Sequence, residues 1–536
     1  MSEGMTKVQF TRCKKKDVPH RALLAFSIGE AAKADERLPV RTCLLDWLLR
    51  VLREETTKEP VLSHGAGVLS FYTPGPFVCL RSCIYLDPND VSRVNVVVSV
   101  QSDGLSGEAM AALERAVACT VVRLPAASAL AMLVDRASLR EWLAENGGVA
   151  FVANGSKLTR NDDASAVVPF ASPPSLEREF CLPLSGKTVR GMLIPKGVTV
   201  ITGGGFHGKS TLLRALAMGC HDLLEGDGRE WCVTAGATGT IRSEDGRSVS
   251  CVDISPFISN LPAACALDVT RFSTSCGSGS TSQAASVVEA LEMGCSLLLL
   301  DEDTCASNFM LRDSRLRSLI EREPITPFIY RVNSLHAQLG VSTIVVTGGS
   351  ADWFDVQDHT LQLDNYCCLD VTRRVAQISK TFCTGRVTYN GKGLVHQLPW
   401  THALRRRVPN LAPFTLPPPP PGSARSEGFL LTASEDGSLL HYGASFSVDL
   451  AKLDQRIEGR AGALGIGVAF YWMGTLPSDD NRSLADILSL YDAQRCSHLL
   501  AHGLSALTGH ETYVLPLVPT LGAAINRVRC AVFRIE

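Results

Sequence analysis

A chain of 536 residues is longer than one hydrophobic core supports, and about three domains are expected. Apolar residues make up 45% and charged residues 20%, which excludes a disordered or fibrous chain. A net charge of −2 excludes nucleic-acid binding by bulk charge and leaves only local basic patches for that role.

Residues 1–170 read as a mixed α/β region. Leu44–Leu52, Gly107–Val121 and Asp135–Leu143 are predicted helices, and Phe77–Tyr85 and Val94–Val100 predicted strands. The start, MSEGMTKVQFTRCKKK, lacks the apolar core of a secretory signal and has at most a weak transit-peptide character. Asn154-Gly155 marks a tight turn. From 171 to 375 short apolar runs alternate with helical segments, the pattern of a parallel sheet covered by helices and hence of an α/β core. Residues 376–536 read as a small C-terminal domain with helices near Leu484–Arg495 and Leu521–Val528. Pro409–Glu427, which contains the run Pro417–Pro421, reads as a stiff, solvated linker. The 18 cysteines are scattered without metal-ligand spacing and are expected to be reduced thiols of an intracellular protein. No apolar run of about 18 residues is present, so no membrane partnership is expected.

The central region carries the chemistry. The strand Gly197–Thr202 runs into Gly203, Gly204, Gly205, Phe206, His207, Gly208, Lys209 and Ser210, and the helix Thr211–Met218 follows. This is G-x-x-x-x-G-K-[ST] in the strand–loop–helix setting that the motif requires. Glycines let successive N–H groups turn toward phosphate oxygens, and the helix N-terminus adds positive potential. Lys209 is expected to reach the β- and γ-phosphates of ATP, and the Ser210 hydroxyl to complete a Mg²⁺ shell.

Leu297–Leu300 is a buried-type strand that ends in Asp301 and Glu302. Asp301 is expected to hold Mg²⁺ and Glu302 to act as general base toward water. Ser278, Gly279 and Ser280 stand ahead of the helix Thr281–Met293, with Ser278 23 positions before Asp301, the offset used by the signature of ABC proteins. Either Ser278 or Ser280 could cap that helix. Such Ser/Gly runs are usually plain loops, and the register with the two other motifs is what favours a nucleotide contact. Thr304–Asn308 takes the place of the D-loop, and Asp358–Tyr366 resembles the strand after the switch region.

The pattern also departs from the common one. Gly348-Gly349-Ser350 follows the strand Thr343–Thr347 where a switch histidine is usual, which makes Ser350 or Asp352 candidates for its role. Asp303 replaces a proline, Asp253–Phe257 offers no Q-loop glutamine, and slow turnover is the expectation. Phe180 is the candidate aromatic for the base.

GGGFHGKSTLLRAL, GDGREW (Gly226–Trp231), VDISPFI (Val252–Ile258), GSTSQAA (Gly279–Ala285) and DEDTCASNFM (Asp301–Met310) closely resemble the predicted ABC-class ATPases of bacteria and some eukaryotes. Among these the resemblance is strongest to kinetoplastid mitochondrial members that belong to RNA-binding, RNA-editing complexes. It implies a head-to-tail homodimer hydrolysing ATP with Mg²⁺, an ABC core flanked by N- and C-terminal domains, a mitochondrial location, and RNA and RNA-processing proteins as partners. In such a dimer Ser278–Ser280 of one copy complete the ATP site of the other. Lys14–Lys16, Arg373, Arg374, Arg405–Arg407, Arg527 and Arg529 are the candidate RNA contacts, with Trp400 and His402 near the third group; each basic residue is most simply read as solvated surface charge. A P-loop alone does not separate transfer to water from transfer to a small acceptor. A P-loop small-molecule kinase and an ATP-dependent scaffold with little turnover are therefore the alternatives. Glu302 and the signature favour water.

Overall fold

The computed structural model describes residues 8–12, 21–28, 38–63, 69–90, 92–100, 105–123, 127–158, 168–259, 261–262, 265, 267–313, 316, 319–320, 322–381, 400, 404, 406–416, 431–453, 457–477, 481–495, 497, 500, 504–508 and 511–535. Near the N-terminus β1 (Gln9–Arg12), β2 (Arg21–Ser27), β3 (Leu69–Ser70), β4 (Ile84–Leu86) and β5 (Arg93–Val100) form an antiparallel sheet in the order β1–β2–β5–β3, with β4 also on β5. Helix α1 (Leu38–Thr57) covers it because Leu45, Leu48, Leu49 and Leu52 recur at helical spacing on one buried face. Helix α2 (Gly107–Val122) packs into the same core. Of the strand expected over Phe77–Tyr85, a bridge at Phe77 and the start of β4 are formed.

Helix α3 (Ala127–Glu145) leads into a second, antiparallel sheet of β6 (Gly148–Ala153), β7 (Glu177–Cys181), β8 (Thr188–Pro195) and β10 (Cys232–Thr234), in the order β10–β6–β8–β7. The domain boundary expected at residue 170 falls inside this sheet, because β6 pairs along β8 from Gly148↔Pro195 to Ala153↔Gly191. The unit that holds the phosphate loop therefore starts at or before Gly148.

The third sheet runs β11 (Thr238–Ile241), β14 (Leu297–Asp301), β15 (Ser342–Val346), β9 (Val198–Gly203), β16 (His359–Asp364), β17 (Cys367–Asp370); all neighbours are parallel except β16–β17. Leu297–Leu300 are fully buried, as a central strand covered on both faces requires. On one face α4 (Lys209–Met218) lies between this sheet and the β6–β8 sheet, with Leu212, Leu213 and Leu216 in the shared core. On the other lie α5 (Gly279–Glu292) and α6 (Val332–Leu339). Strands β12 (Arg247–Val252) and β13 (Phe272–Gly277) form a hairpin before α5, and α7 (Thr372–Thr381) follows β17.

The C-terminal domain has a pair of β18 (Arg407–Pro409) with β22 (Phe533–Ile535) and a meander of β19 (Leu431–Ala433), β20 (Leu439–Tyr442) and β21 (Phe446–Asp449). Helices α8 (Gly459–Gly474), α9 (Leu484–Gln494) and α10 (Val518–Ile525) complete its core. The solvated linker expected from Pro409 is corrected at its start. Leu411, Phe414 and Leu416 are buried in this core, and Pro417–Pro421 lie outside the described residues. Among the described residues no helix is long and apolar enough to cross a membrane.

Candidate nucleotide site

The phosphate loop is shaped by its neighbours. Gly203 has φ +140, and a Cβ there would sit 2.2 Å from the Leu363 carbonyl oxygen, so the loop can leave β9 at this point as glycine alone. The loop closes with Gly208 at φ +97, and α4 begins at Lys209. Lys209 Nζ turns into the loop, donating to the carbonyls of Gly203 (2.9 Å) and Gly204 (2.7 Å). Gly205 faces open space, and Phe206 has φ +63 with its side chain 99% exposed. His207 sits beside the β16–β17 turn rather than in the open mouth, its Nδ1 accepting from Asn365 N at 3.1 Å.

Ser210 and Asp301 come together from elements separated by β15: Ser210 Oγ donates to Asp301 Oδ2 at 2.9 Å. Asp303, the third carboxylate of the run, uses its backbone, N–H to Asp301 Oδ1 at 3.3 Å. Glu302 is gripped from the neighbouring strand. The register pairs Asp301 with Val346, which sets Thr347 across from Glu302. Thr347 Oγ1 donates to Glu302 Oε2 at 2.6 Å, Gly348 N at 3.1 Å and Gly349 N, more weakly, at 3.4 Å. A Cβ on Gly348 would lie 3.9 Å from Lys209 Nζ, so base, lysine and this turn converge on one space.

A family model for the P-loop domain of ABC ATPases matches residues 126–397, half of the chain. The chain belongs to the ABC ATPase family. The match begins at residue 126, ahead of β6, and so takes in the whole β6–β8 pairing. An uncharacterized protein of Methanocaldococcus jannaschii is 32% identical over 191 residues, covering 33% of this chain and 42% of that protein, so the match spans less than half of the relative's length. Among solved structures, cbiO1 from Clostridium perfringens, part of an ABC transporter complex, is similar with a TM-score of 0.29 and 15% identity over 47% of this chain and 98% of that one. An ATP-binding cassette of an ABC transporter in its ADP conformation gives 0.26 and 11% over 46% and 99%.

ABC ATPase P-loop domains bind ATP with Mg²⁺, and the donor set of this ABC ATPase fits both. The glycine cradle, open at Gly205 with an ammonium inside it, suits phosphate oxygens. One hydroxyl and one carboxylate suit Mg²⁺, which keeps waters and takes phosphate oxygens rather than a full protein cage. Thr211 continues the loop as a residue of α4.

The signature segment opens helix α5 and packs against the D-loop, where a Cβ on Gly279 would lie 3.7 Å from that of Ala306. Ser278 is the N-cap of α5, exposed, with its hydroxyl 2.9 Å from Thr281 Oγ1. Gly279 is confined, because a Cβ would meet Ser243 Oγ at 2.4 Å. Ser280, expected on the nucleotide face, is buried instead. Gln283, one turn on, was not singled out by sequence; its Oε1 accepts from Ala306 N at 2.8 Å and ties the D-loop to the signature helix. The donors on Glu302 were also missed. The signal for them was a threonine and two glycines where a switch histidine is usual. Ser350 Oγ instead accepts from Asp352 N at 3.1 Å, so those two candidates cap their own turn. Asp253–Phe257 packs inward, with Ile254 and Phe257 in the core.

Several basic candidates are committed elsewhere. Arg407 is buried on Glu292 (Nε–Oε2 2.9 Å), Arg527 pairs with Glu244 (3.1 Å), and Trp400 is buried beneath the Arg331 guanidinium. Burial removes Arg407 and Trp400 from any nucleic-acid surface, and the partly buried Arg527 is taken up by its acid. Arg406 reaches Asp486 at 3.3 Å. Arg373 and Arg374 on α7 and Arg529 are exposed. Lys14–Lys16, His402 and Arg405 lie outside the described residues.

Proposed function

We propose that this protein binds and hydrolyses MgATP, as a head-to-tail homodimer, with Glu302 as the general base. The observation that carries the reading is the convergence of Lys209, the Ser210–Asp301 pair and a Glu302 whose second oxygen is left free of Thr347 and the Gly348–Gly349 amides. Bound MgATP supplies the γ-phosphoryl group and the charge-neutralising metal. Lys209 balances charge on the phosphates, and Ser210 and Asp301 hold the metal. Glu302 takes the proton of the water that attacks phosphorus, so transfer goes to water rather than to a kinase acceptor. Ser278 is exposed at a helix N-terminus, where it suits a γ-phosphate carried by a second copy.

The test is steady-state hydrolysis. Glu302→Gln should lower kcat by about 10²–10⁴-fold with ATP still bound. Lys209→Ala and Ser278→Arg chains should each be inactive alone, and their co-assembled mixture should regain one composite site. Normal hydrolysis by Ser278→Arg would sink the dimeric site. ATP binding with no turnover in the wild type would favour the scaffold reading.

We further propose that the ATPase acts on RNA, with RNA-processing proteins as partners in a mitochondrion. This part rests on the family resemblance and on the exposed pair Arg373–Arg374. RNA affinity that falls with salt and drops on Arg373→Glu/Arg374→Glu supports it; affinity unmoved by both leaves it without a surface.

A further inference from the structure

A triphosphate cradle holds any nucleoside triphosphate, and the base needs a partner of its own. Phe180 is already used: its ring lies 5.4 Å from Trp142 and packs with the α3, β6 and β8 core. The other flank of the phosphate loop offers an aromatic that is not. In the central sheet the carboxylates of β14 stand on one side of β9 and the β16–β17 hairpin on the other. Leu363 pairs with Gly203, so the turn Asp364–Tyr366 overhangs the loop at the end away from Asp301 and Glu302. A nucleotide whose terminal phosphate lies toward those carboxylates extends its base toward this turn.

The turn is built around that position. Tyr366 N donates to the His207 carbonyl at 3.2 Å, and Asn365 N to His207 Nδ1 at 3.1 Å. A Cβ on Gly208 would stand 2.7 Å from Tyr366 Cδ1, so the ring lies against the backbone where the loop becomes α4. Asn365 (φ +47) and Tyr366 (φ +66) both occupy the left-handed region, which is costly for an aromatic residue. The conformation nonetheless leaves Tyr366 45% exposed. Burial is not what it achieves.

We propose that Tyr366 is the base-stacking platform of the nucleotide site, taking a nucleobase on its open side. This rests on the reading of Gly203–Ser210 as the phosphate cradle. Stacking uses a π-face that every base has, so ATP and GTP should bind within a few-fold of each other.

The experiment measures equilibrium binding of MgATP, MgGTP and magnesium tripolyphosphate to the full chain by calorimetry. Tyr366→Gly removes the ring and suits the left-handed backbone, so it should fold. It should weaken ATP about tenfold and leave tripolyphosphate unchanged, while Tyr366→Phe binds like the wild type. Equal loss of both ligands would make the ring a support for the loop and overturn the proposal. So would unchanged ATP binding, or loss of the base contribution in Phe206→Ala instead. A wild type that binds neither ATP nor tripolyphosphate removes the nucleotide reading itself, a result separable from failure of the platform.

Discussion

The carboxylate of Glu302 is held by one oxygen. Thr347, Gly348 and Gly349 all converge on Oε2, with the threonine hydroxyl closest at 2.6 Å. A hydrogen bond to a charged group contributes about 1.5–3 kcal/mol. Thr347→Val should therefore lower kcat by roughly ten- to a hundredfold, and Thr347→Ser should restore most of it. ATP affinity should stay put in both, because Thr347 serves Glu302 and not the cradle. Equal loss of binding and turnover in the valine variant would count against a positioning role. Three residues after Glu302, Cys305 sits in the D-loop, where burial pushes its thiol up to about 12. The thiolate is the reactive form. At pH 8 an alkylating reagent should modify the exposed Cys276 and Cys367 and spare Cys305, as mass spectrometry of the native protein would read. Early labelling of Cys305 would contradict this.

Helix α5 carries two buried acids, each paired with an arginine from another element. Its N-terminus carries Ser278, and its far turns carry Glu289 on Arg247 and Glu292 on Arg407. Arg407→Met would leave Glu292 buried without its cation and should cost about 3 kcal/mol of stability at neutral pH. Burial already pushes the Glu292 carboxyl up, and Arg407 opposes that. Without the arginine the folded-state value rises further, so the penalty belongs to the charged form. It should shrink as pH falls toward the range where Glu292 is protonated. A thermal-melting deficit that does not change between pH 8 and pH 5 would refute the assignment. The same helix marks what the sequence made legible. Gly203–Ser210, Asp301–Glu302 and Ser278 announce themselves by spacing along one chain, because each acts from the end of a strand or helix. Thr347 acts across the β14–β15 register, and Arg407 reads from its neighbours as part of a solvated basic run. Its burial is set by β18 pairing with β22 more than a hundred residues on. Neither partner is visible in local periodicity.

The same non-local pairing fixes the whole molecule. Residues 148–153 fall within the first domain as the sequence divides the chain, yet as β6 they are held by β8 and β10 of the next. At the other end, Glu458 at the head of α8 accepts from Gly75 N at 2.7 Å and from Arg81 at 2.9 Å, and Arg81 also pairs with Asp46. Glu458→Ala should lower the melting midpoint and speed proteolysis between the N- and C-terminal domains, with ATP binding retained. Proteolysis at the wild-type rate would mean the two domains are held by something else. The arginine–glutamate ties around α5 reach further. Glu244 answers to Arg527 and Glu292 to Arg407, so two acids of the ATPase unit are neutralised by a domain outside residues 126–397. Over generations such positions are not free to drift singly: a change of sign or size at 244 or 292 survives when 527 or 407 changes with it. Descendants of this chain should inherit the ATPase unit and its C-terminal domain as one linked block, and recombination that joins the two from distant lineages should fail at these pairs first.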